Sequence, residues 1–203
     1  MAADEALLDR VVRSGGAFLR LYRWDPPTLS IGRNQRIDVT PGVPHVRRPT
    51  GGKAVWHDDE VTYAVAAPIA LFGSLRDAYC QIHTRFVAAL RSLGVDASLA
   101  PYRPPVRPLR FAQGRLSDGP TSCFASPVGG EILVNGRKLV GSAQVRRADA
   151  LLQHGSILLE GTQPEAGLET TLAAELGRPV SFDEVAQAVL EHWPSVIASA
   201  ASG

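Results

Sequence analysis

Cysteine is nearly absent from this chain: Cys80 and Cys123 are the only two among 203 residues. Two widely separated thiols supply neither the paired spacing of a zinc site nor the density of a disulfide-stapled secreted scaffold, so both are read as free thiols in a reducing compartment. An excess of one charge is missing too. Lys and Arg total 21 against 20 Asp and Glu, a formal net charge of +1, and no global field argues for nucleic acid or an anionic membrane as partner. No apolar run approaches the roughly 18 residues of a membrane span, and the amino end, beginning Met1, Ala2, Ala3, Asp4, Glu5, has no basic region followed by an apolar stretch. The expectation is an unprocessed, soluble, cytoplasmic protein.

What is present is enough apolar material for a core. With 45% hydrophobic and 20% charged residues, residues 1–203 are expected to form one domain. Leu7, Leu8, Val11 and Val12 recur at helical spacing behind Asp4 and Glu5, with Gly15 and Gly16 as the stop. From Phe18 to Trp24 the period falls to two and ends at Asp25-Pro26-Pro27, which predicts a strand and a rigid corner, and the strand resumes over Leu29 to Gly32. Trp56 to Ala67 predicts one further strand closed by Pro68. A long helix follows, capped by Ser74, running through Leu75, Tyr79, Ile82, Phe86, Leu90 and Leu93, and ended by Gly94.

Residues 98–122 interleave Pro101, Pro104, Pro105, Pro108 and Pro120 with Arg103, Arg107, Arg110 and Arg115, which predicts a loop. Beyond it, Glu131 to Val134 and Arg137 to Val140 flank Asn135-Gly136, a strong short hairpin signal because both turn residues tolerate positive φ. A second antiparallel pair joins Ser142–Arg147 to Leu151–Leu159 through Ala148 and Asp149. Leu168, Leu172 and Leu176 predict a helix ended by Gly177, Ser181 with Glu184 a capping box for another, and residues 195–203 a frayed tail. Hairpins interspersed with helices, without regular βαβ alternation, specify an α+β domain with a mostly antiparallel sheet.

Several residues carry possible chemistry. Between Arg47-Arg48 and Lys53, the pair Gly51-Gly52 lets backbone approach a ligand and aim N–H groups at it, though from the pair alone a tight turn with solvated charges is the favoured reading. His57 is a base, a ligand-fixing donor or an ordinary strand-edge histidine. Cys123 follows the proline-rich loop, where a thiol is either held accessible or packed inert. Lys138 falls opposite Leu133 across a two-residue turn and on one face with Val140, as an edge-strand gatekeeper or as a tuned catalytic group. His154-Gly155 inside an apolar strand marks a bulge lining a pocket or a packing accommodation. Cys80 and His83, three apart on a helix with no third ligand nearby, are assigned to structure.

Six ordered stretches carry a resemblance: Met1-Ala2 with Asp4-Glu5-Ala6-Leu7-Leu8; Trp24 with Pro26-Pro27-Thr28-Leu29-Ser30-Ile31-Gly32; Arg47 through Glu60; Cys123-Phe124 with Pro127; Lys138 through Gln144; and Leu152 through Ser156. Together they resemble the biotinyl/lipoyl protein ligase superfamily, within it the cysteine-dependent octanoyltransferases related to lipoate-protein ligase A. That resemblance implies an octanoyltransferase of protein lipoylation, with Cys123 as nucleophile, Lys138 as its partner, and an acyl-binding lining from Arg48, Thr50, Gly51, Gly52, Lys53, Ala54, His57, Gly141, Ser142, Ala143, His154 and Gly155. It implies octanoyl-acyl carrier protein as donor and lipoyl carrier domains as acceptors, either the glycine cleavage H protein or the 2-oxoacid dehydrogenase E2 subunit, with no cofactor. Apolar positions Val55, Val140 and Ile157 would hold the acyl chain, and the loop arginines or Arg47 and Arg48 would meet acidic carriers.

The rival within the resemblance is an ATP- and Mg-dependent lipoate ligase. Such ligases read His-Asp-x-Gly-Asn where this chain reads His57-Asp58-Asp59-Glu60, lack the cysteine, and often carry a further carboxy-terminal domain for which the chain ending at Gly203 leaves no room. An amidotransferase moving octanoyl between carrier domains keeps the same cysteine chemistry, and a non-catalytic acyl- or carrier-binding module is the rival outside enzymes. The family's strand ahead of the first helix has no counterpart here, and Gly129-Gly130 replaces bulkier residues ahead of Glu131.

Overall fold

The computed structural model describes residues 1–101, 129–161, 169–193 and 198–199. Helix α1 (Ala2–Ser14) carries Asp4 and Glu5 in its first turn, where negative charge meets the helix dipole, and buries Leu8 and Val11. Strands β1 (Phe18–Tyr22), β2 (Thr28–Ile31), β3 (His45–Arg47), β4 (Val55–His57) and β5 (Glu60–Pro68) follow. The stretch expected as one strand over Trp56–Ala67 is thus two, because Asp58 and Asp59 bend the chain from one sheet into another.

Helix α2 (Leu75–Ser92) starts where the Ser74 hydroxyl accepts the Asp77 N–H, and Gly94 takes φ +93° just past its end. Strand β6 (Ala97–Leu99) pairs with β7 (Ile132–Val134), so Ser98 and Leu99 belong to the sheet rather than to the proline-rich loop. The rest of that loop from residue 102 onward lies outside the described residues. Asn135 (φ +50°) and Gly136 (φ +76°) turn β7 into β8 (Arg137–Arg147), and Ala148 (φ +49°) turns β8 into β9 (Ala150–Leu158). Helix α3 (Leu172–Leu176) is capped by Thr171 and stopped by Gly177 in the left-handed region. Leu168, expected in that helix, lies outside the described residues. Helix α4 (Phe182–Glu191) begins with the Ser181 hydroxyl accepting the Glu184 N–H. Strand β10 (Ala198–Ser199) pairs in parallel with Phe18–Leu19, so these two residues of the expected tail cover part of the β1 edge.

The larger sheet has the order β10-β1-β5-β9-β8-β7-β6 and is antiparallel except at β10; the smaller has the order β3-β2-β4. Helices α2 and α4 cover one face of the larger sheet. There Tyr63, Ile82, Phe86, Leu90, Ile157 and Val189 form a core in which each side chain is almost fully buried, contributing about 1.5–3 kcal/mol per large residue. On the opposite face α1 packs Leu8 and Val11 against Ala64, Ala66 and Leu152. Strand β5 is therefore buried on both faces, which explains why Thr62 and Ala64 are as inaccessible as Val61 and Tyr63. None of the described helices is long and apolar enough to cross a membrane.

Candidate active site

The smaller sheet brings the Gly-Gly turn against β2. A Cβ at Gly32 would stand 1.9 Å from the Gly52 carbonyl oxygen, an overlap that only glycine avoids. Arg48, only 5% exposed, locks the turn: one guanidinium nitrogen donates to Ser30 O (3.0 Å) and Ser30 Oγ (2.7 Å), the other to Gly51 O (3.2 Å) and Lys53 O (2.6 Å). A cation committed inward cannot serve as a docking charge, so that expectation for Arg48 is overturned. Arg47 is exposed but donates to Gly32 O and Gln35 O at 2.9 and 2.8 Å.

His57 sits in a polar chain. Its Nε2 lies 2.5 Å from Ser30 Oγ and its Nδ1 2.7 Å from Glu60 Oε1, while the Trp24 ring stacks on the imidazole at 4.5 Å and 16°. Ser156 and Thr62 donate to the same carboxylate oxygen. Glu60 replaces the glycine of the ligase pattern and supplies the acceptor that fixes the Nδ1 side of this ring. His154 is held similarly, with Nε2 2.7 Å from Thr50 Oγ1 and Nδ1 3.5 Å from Asp4 Oδ2. Burial lowers the His154 pKa, opposed by Asp4. Asp4 stays below the usual carboxylate range: burial raises it, but hydrogen bonding and charge from His154 and the Tyr22 hydroxyl outweigh that.

These groups border a slot of about 20 Å³, about the room one water needs. Arg48, Val55, His57, Thr62, Gly141, Ser142, Ala143, His154, Gly155 and Ser156 wall it. Of the expected lining residues, Thr50 reaches it through His154, whereas Gly51, Gly52, Lys53 and Ala54 form the turn outside that wall. Val55 lines the slot, but Val140 and Ile157 are fully buried in the core under α2, which overturns their expected role as acyl contacts. The pairing of β9 is regular on both sides of Gly155, so the anticipated bulge is not there. Gly155 is required by close approach: a Cβ would meet Gly141 O at 2.4 Å, Ser142 Oγ at 2.5 Å and Tyr63 Cε1 at 2.8 Å.

Lys138 is 1% exposed, and its Nζ donates to Glu131 Oε1 at 2.6 Å in an equally buried pair. The lysine pairs with Leu133 as the turn predicts, but the register then shifts so that Val140 faces Ile132. Consecutive residues of β7 point to opposite faces, so Lys138 does not share a face with Val140. Nor is it on an edge. Strand β7 flanks it on one side and the chain at Glu169 bridges it on the other. Glu131, two residues before Leu133, meets Lys138 diagonally across the hairpin. No sequence spacing announces Glu131 as a partner of Lys138.

A second, larger cleft of about 440 Å³ shares Ser142 and Ala143 with the slot. Arg76, Tyr79 and Cys80 of α2, Leu99 and Ala100, Gly129 to Glu131, and Gln144 complete it. Behind its floor, Tyr63 Oη, Ser142 Oγ and His83 Nε2 form a triangle with sides of 2.6, 2.9 and 3.1 Å. His83 Nδ1 is 2.5 Å from the Gly130 carbonyl, and Gln153 donates to Tyr63 Oη at 2.9 Å. Burial pushes the His83 imidazole down to about 4. Its contacts are internal, as its assignment to structure expects, and one of them is to Ser142, which lines both cavities; Tyr63 and Gln153 give no signal beyond strand periodicity. Cys123 lies outside the described residues.

Comparison with known proteins bears on these residues together. The description "lipoyl protein ligase A/B catalytic domain" fits residues 1–168. Octanoyltransferase LipM of Kyrpidia tusciae is 46% identical over 182 residues, covering 82% of this chain and 63% of that protein. Octanoyltransferase LipM of Symbiobacterium thermophilum is 38% identical over 221 residues, covering 93% of this chain and 78% of that protein. The chain spans about 60% of the length of several further LipM relatives. In solved structures, a lipoate-protein ligase A bound with ATP superposes with a TM-score of 0.69 at 22% identity over 97% of this chain and 83% of that one. The bipartite lipoate protein ligase of Thermoplasma acidophilum gives 0.64 at 19% identity, over 98% and 83%. At these identities the structural likeness is one of fold.

Proposed function

From the premise that this chain belongs to the lipoyl protein ligase A/B catalytic-domain family, we propose that it is an octanoyltransferase working through an acyl-Cys123 thioester. The observation that carries the reading is the buried Lys138–Glu131 pair, whose carboxylate borders the cleft that joins the slot at Ser142 and Ala143. Lys138 itself lines neither cavity, so its charge, fixed at 2.6 Å from its counterion before substrate arrives, acts on a developing oxyanion from behind the Glu131 wall of the cleft.

The donor is octanoyl-acyl carrier protein and the reaction has two steps. Cys123 Sγ bonds to the thioester carbonyl carbon and the pantetheine thiol leaves with the proton. A carrier-domain lysine nitrogen then bonds to the same carbon, the carbon–sulfur bond to Cys123 breaks, and the amine proton returns to the thiol. Thioester exchange is nearly isoenergetic and amide formation runs downhill, so the sequence of steps needs neither ATP nor a metal. The acceptors are lipoyl carrier domains, of the glycine cleavage H protein or of a 2-oxoacid dehydrogenase E2 subunit, in the cytoplasm. The slot must widen to seat eight carbons, and the apolar and small residues Val55, Gly141, Ala143 and Gly155 form the wall that admits them.

Intact-mass spectrometry after incubation with octanoyl-acyl carrier protein tests this directly. The parent chain gains one octanoyl group, Cys123→Ala gains none, and adding a lipoyl domain discharges the adduct. A parent Cys123 that stays unmodified beside a competent donor rules out the covalent route.

A further inference from the structure

Thr62 of β5, Ser156 of β9 and Gly141 of β8 are register partners, so they form one row across the larger sheet, and all three wall the slot. The slot therefore extends across the strands. Neighbouring strands lie about 4.8 Å apart, which puts Thr62 about 10 Å from Gly141. At the β8 end the slot meets the larger cleft through Ser142 and Ala143. At the β5 end the row continues to Tyr22 of β1, the register partner of Thr62, and two residues further on the chain carries Trp24.

Trp24, half-buried, stands behind Thr62 and His57 and is held there from three sides. Its Nε1 donates to Thr62 Oγ1 at 2.8 Å, its ring lies on the His57 imidazole at 4.5 Å and 16°, and the Tyr22 ring packs against it at 5.8 Å. The two slot residues it touches are fixed in turn. The Thr62 hydroxyl accepts from the indole and donates to Glu60 Oε1, and His57 Nδ1 lies 2.7 Å from the same oxygen. To move aside, the indole would have to give up both its N–H bond and its stacking contact, so the β5 end is the rigid end of the slot.

We propose that Trp24 is a specificity-determining residue that sets the length of the acyl chain, as the end wall behind Thr62 and His57. The assignment rests on the acyl-transfer reading above, in which the chain occupies the slot with its carbonyl on the cleft side and its tail towards β5. A saturated chain with ~1.5 Å bonds in staggered torsions advances roughly 1.3 Å per carbon, so eight carbons extend about 9 Å. That length fills the row from Gly141 to Thr62. Two further carbons add about 2.5 Å and bring the tail to the indole, and four add about 5 Å and need the volume the ring occupies. Trp24 stands at the tail, so it acts on which chain is accepted and not on the chemistry of transfer.

Competition among donors tests this. The protein is mixed with equimolar octanoyl-, decanoyl- and dodecanoyl-acyl carrier protein, and intact mass at early times gives the ratio of the adducts, which is the ratio of the kcat/KM values. The parent is expected to take octanoyl over dodecanoyl by roughly tenfold or more, as a closed apolar pocket discriminates. Trp24→Leu raises the dodecanoyl-to-octanoyl ratio by roughly tenfold or more, since each methylene that gains room contributes about fourfold. Trp24→Phe keeps a ring on His57 but lacks the N–H and the outer part of the indole, and it shifts the ratio the same way by less. A residue that only supports the fold lowers all the adducts together and leaves their ratio alone. Should Trp24→Leu fail to fold, Trp24→Phe decides. A parent that gains no acyl group from any donor overturns the acyl-transfer reading and the length role with it. A parent that is acylated but takes the chains equally, or variants that keep the parent's ratio, overturn the length role only.

Discussion

Replacing Lys138 by methionine tests whether the buried ion pair is the organising charge of the site. The lysine is 1% exposed and the Glu131 side chain 3% exposed, with Nζ and Oε1 2.6 Å apart. Removing one member takes the 2.6 Å counter-charge away from the other in a low-dielectric interior, and such losses cost about 3–5 kcal/mol. Replacing both by apolar residues of similar size removes the desolvation demand along with the attraction, which is commonly neutral or better. The expected pattern in urea denaturation is a loss of about 3–5 kcal/mol for Lys138→Met, a comparable loss for Glu131→Leu, and a double variant that loses clearly less than the sum of the two. All three should be inactive in octanoyl transfer, so stability and catalysis part company in the double variant. Additive losses in the double variant, or a single-variant cost below about 1 kcal/mol, would show that the two charges do not face each other in a dry interior.

Two further outcomes follow from the geometry of the same region. Gly155→Ala places a methyl group 2.4 Å from Gly141 O and 2.5 Å from Ser142 Oγ, and should cost about 1–3 kcal/mol by overpacking, with loss of transfer, read from urea midpoints and turnover. The His83 imidazole, pushed down by burial to about 4 against about 6.5 in the unfolded chain, makes the unfolded state bind its proton first as the pH falls. Its neutral form therefore supports the fold fully above about pH 6.5, and about 3 kcal/mol of that support is lost as the pH drops towards 4. His83→Gln should flatten the stability profile by that amount between pH 6.5 and 4, and an unchanged slope would contradict the buried neutral ring.

The sequence and the tertiary structure determined different things. Local chemistry decided the turns: Asn135-Gly136 takes positive φ at both positions, Ser74 and Ser181 cap their helices, and the β7–β8 register that sets Lys138 against Leu133 follows from a two-residue loop. Those features depend on neighbours within a few residues, so pattern and composition suffice.

What the sequence left open were contacts between segments distant along the chain. Whether Val140 lines an acyl wall or a core depends on a one-residue register shift that spacing does not reveal, and the structure puts it in the core. Arg48 reads as a basic docking residue until four carbonyl and hydroxyl acceptors are seen to enclose it. His83 reads as a helix residue until β5, β8 and Gly130 bring Tyr63, Ser142 and a carbonyl oxygen to its two nitrogens. Periodicity records which side chains are turned inward; only packing of the whole chain records what they meet there, because a buried polar group is satisfied by partners from any part of the sequence.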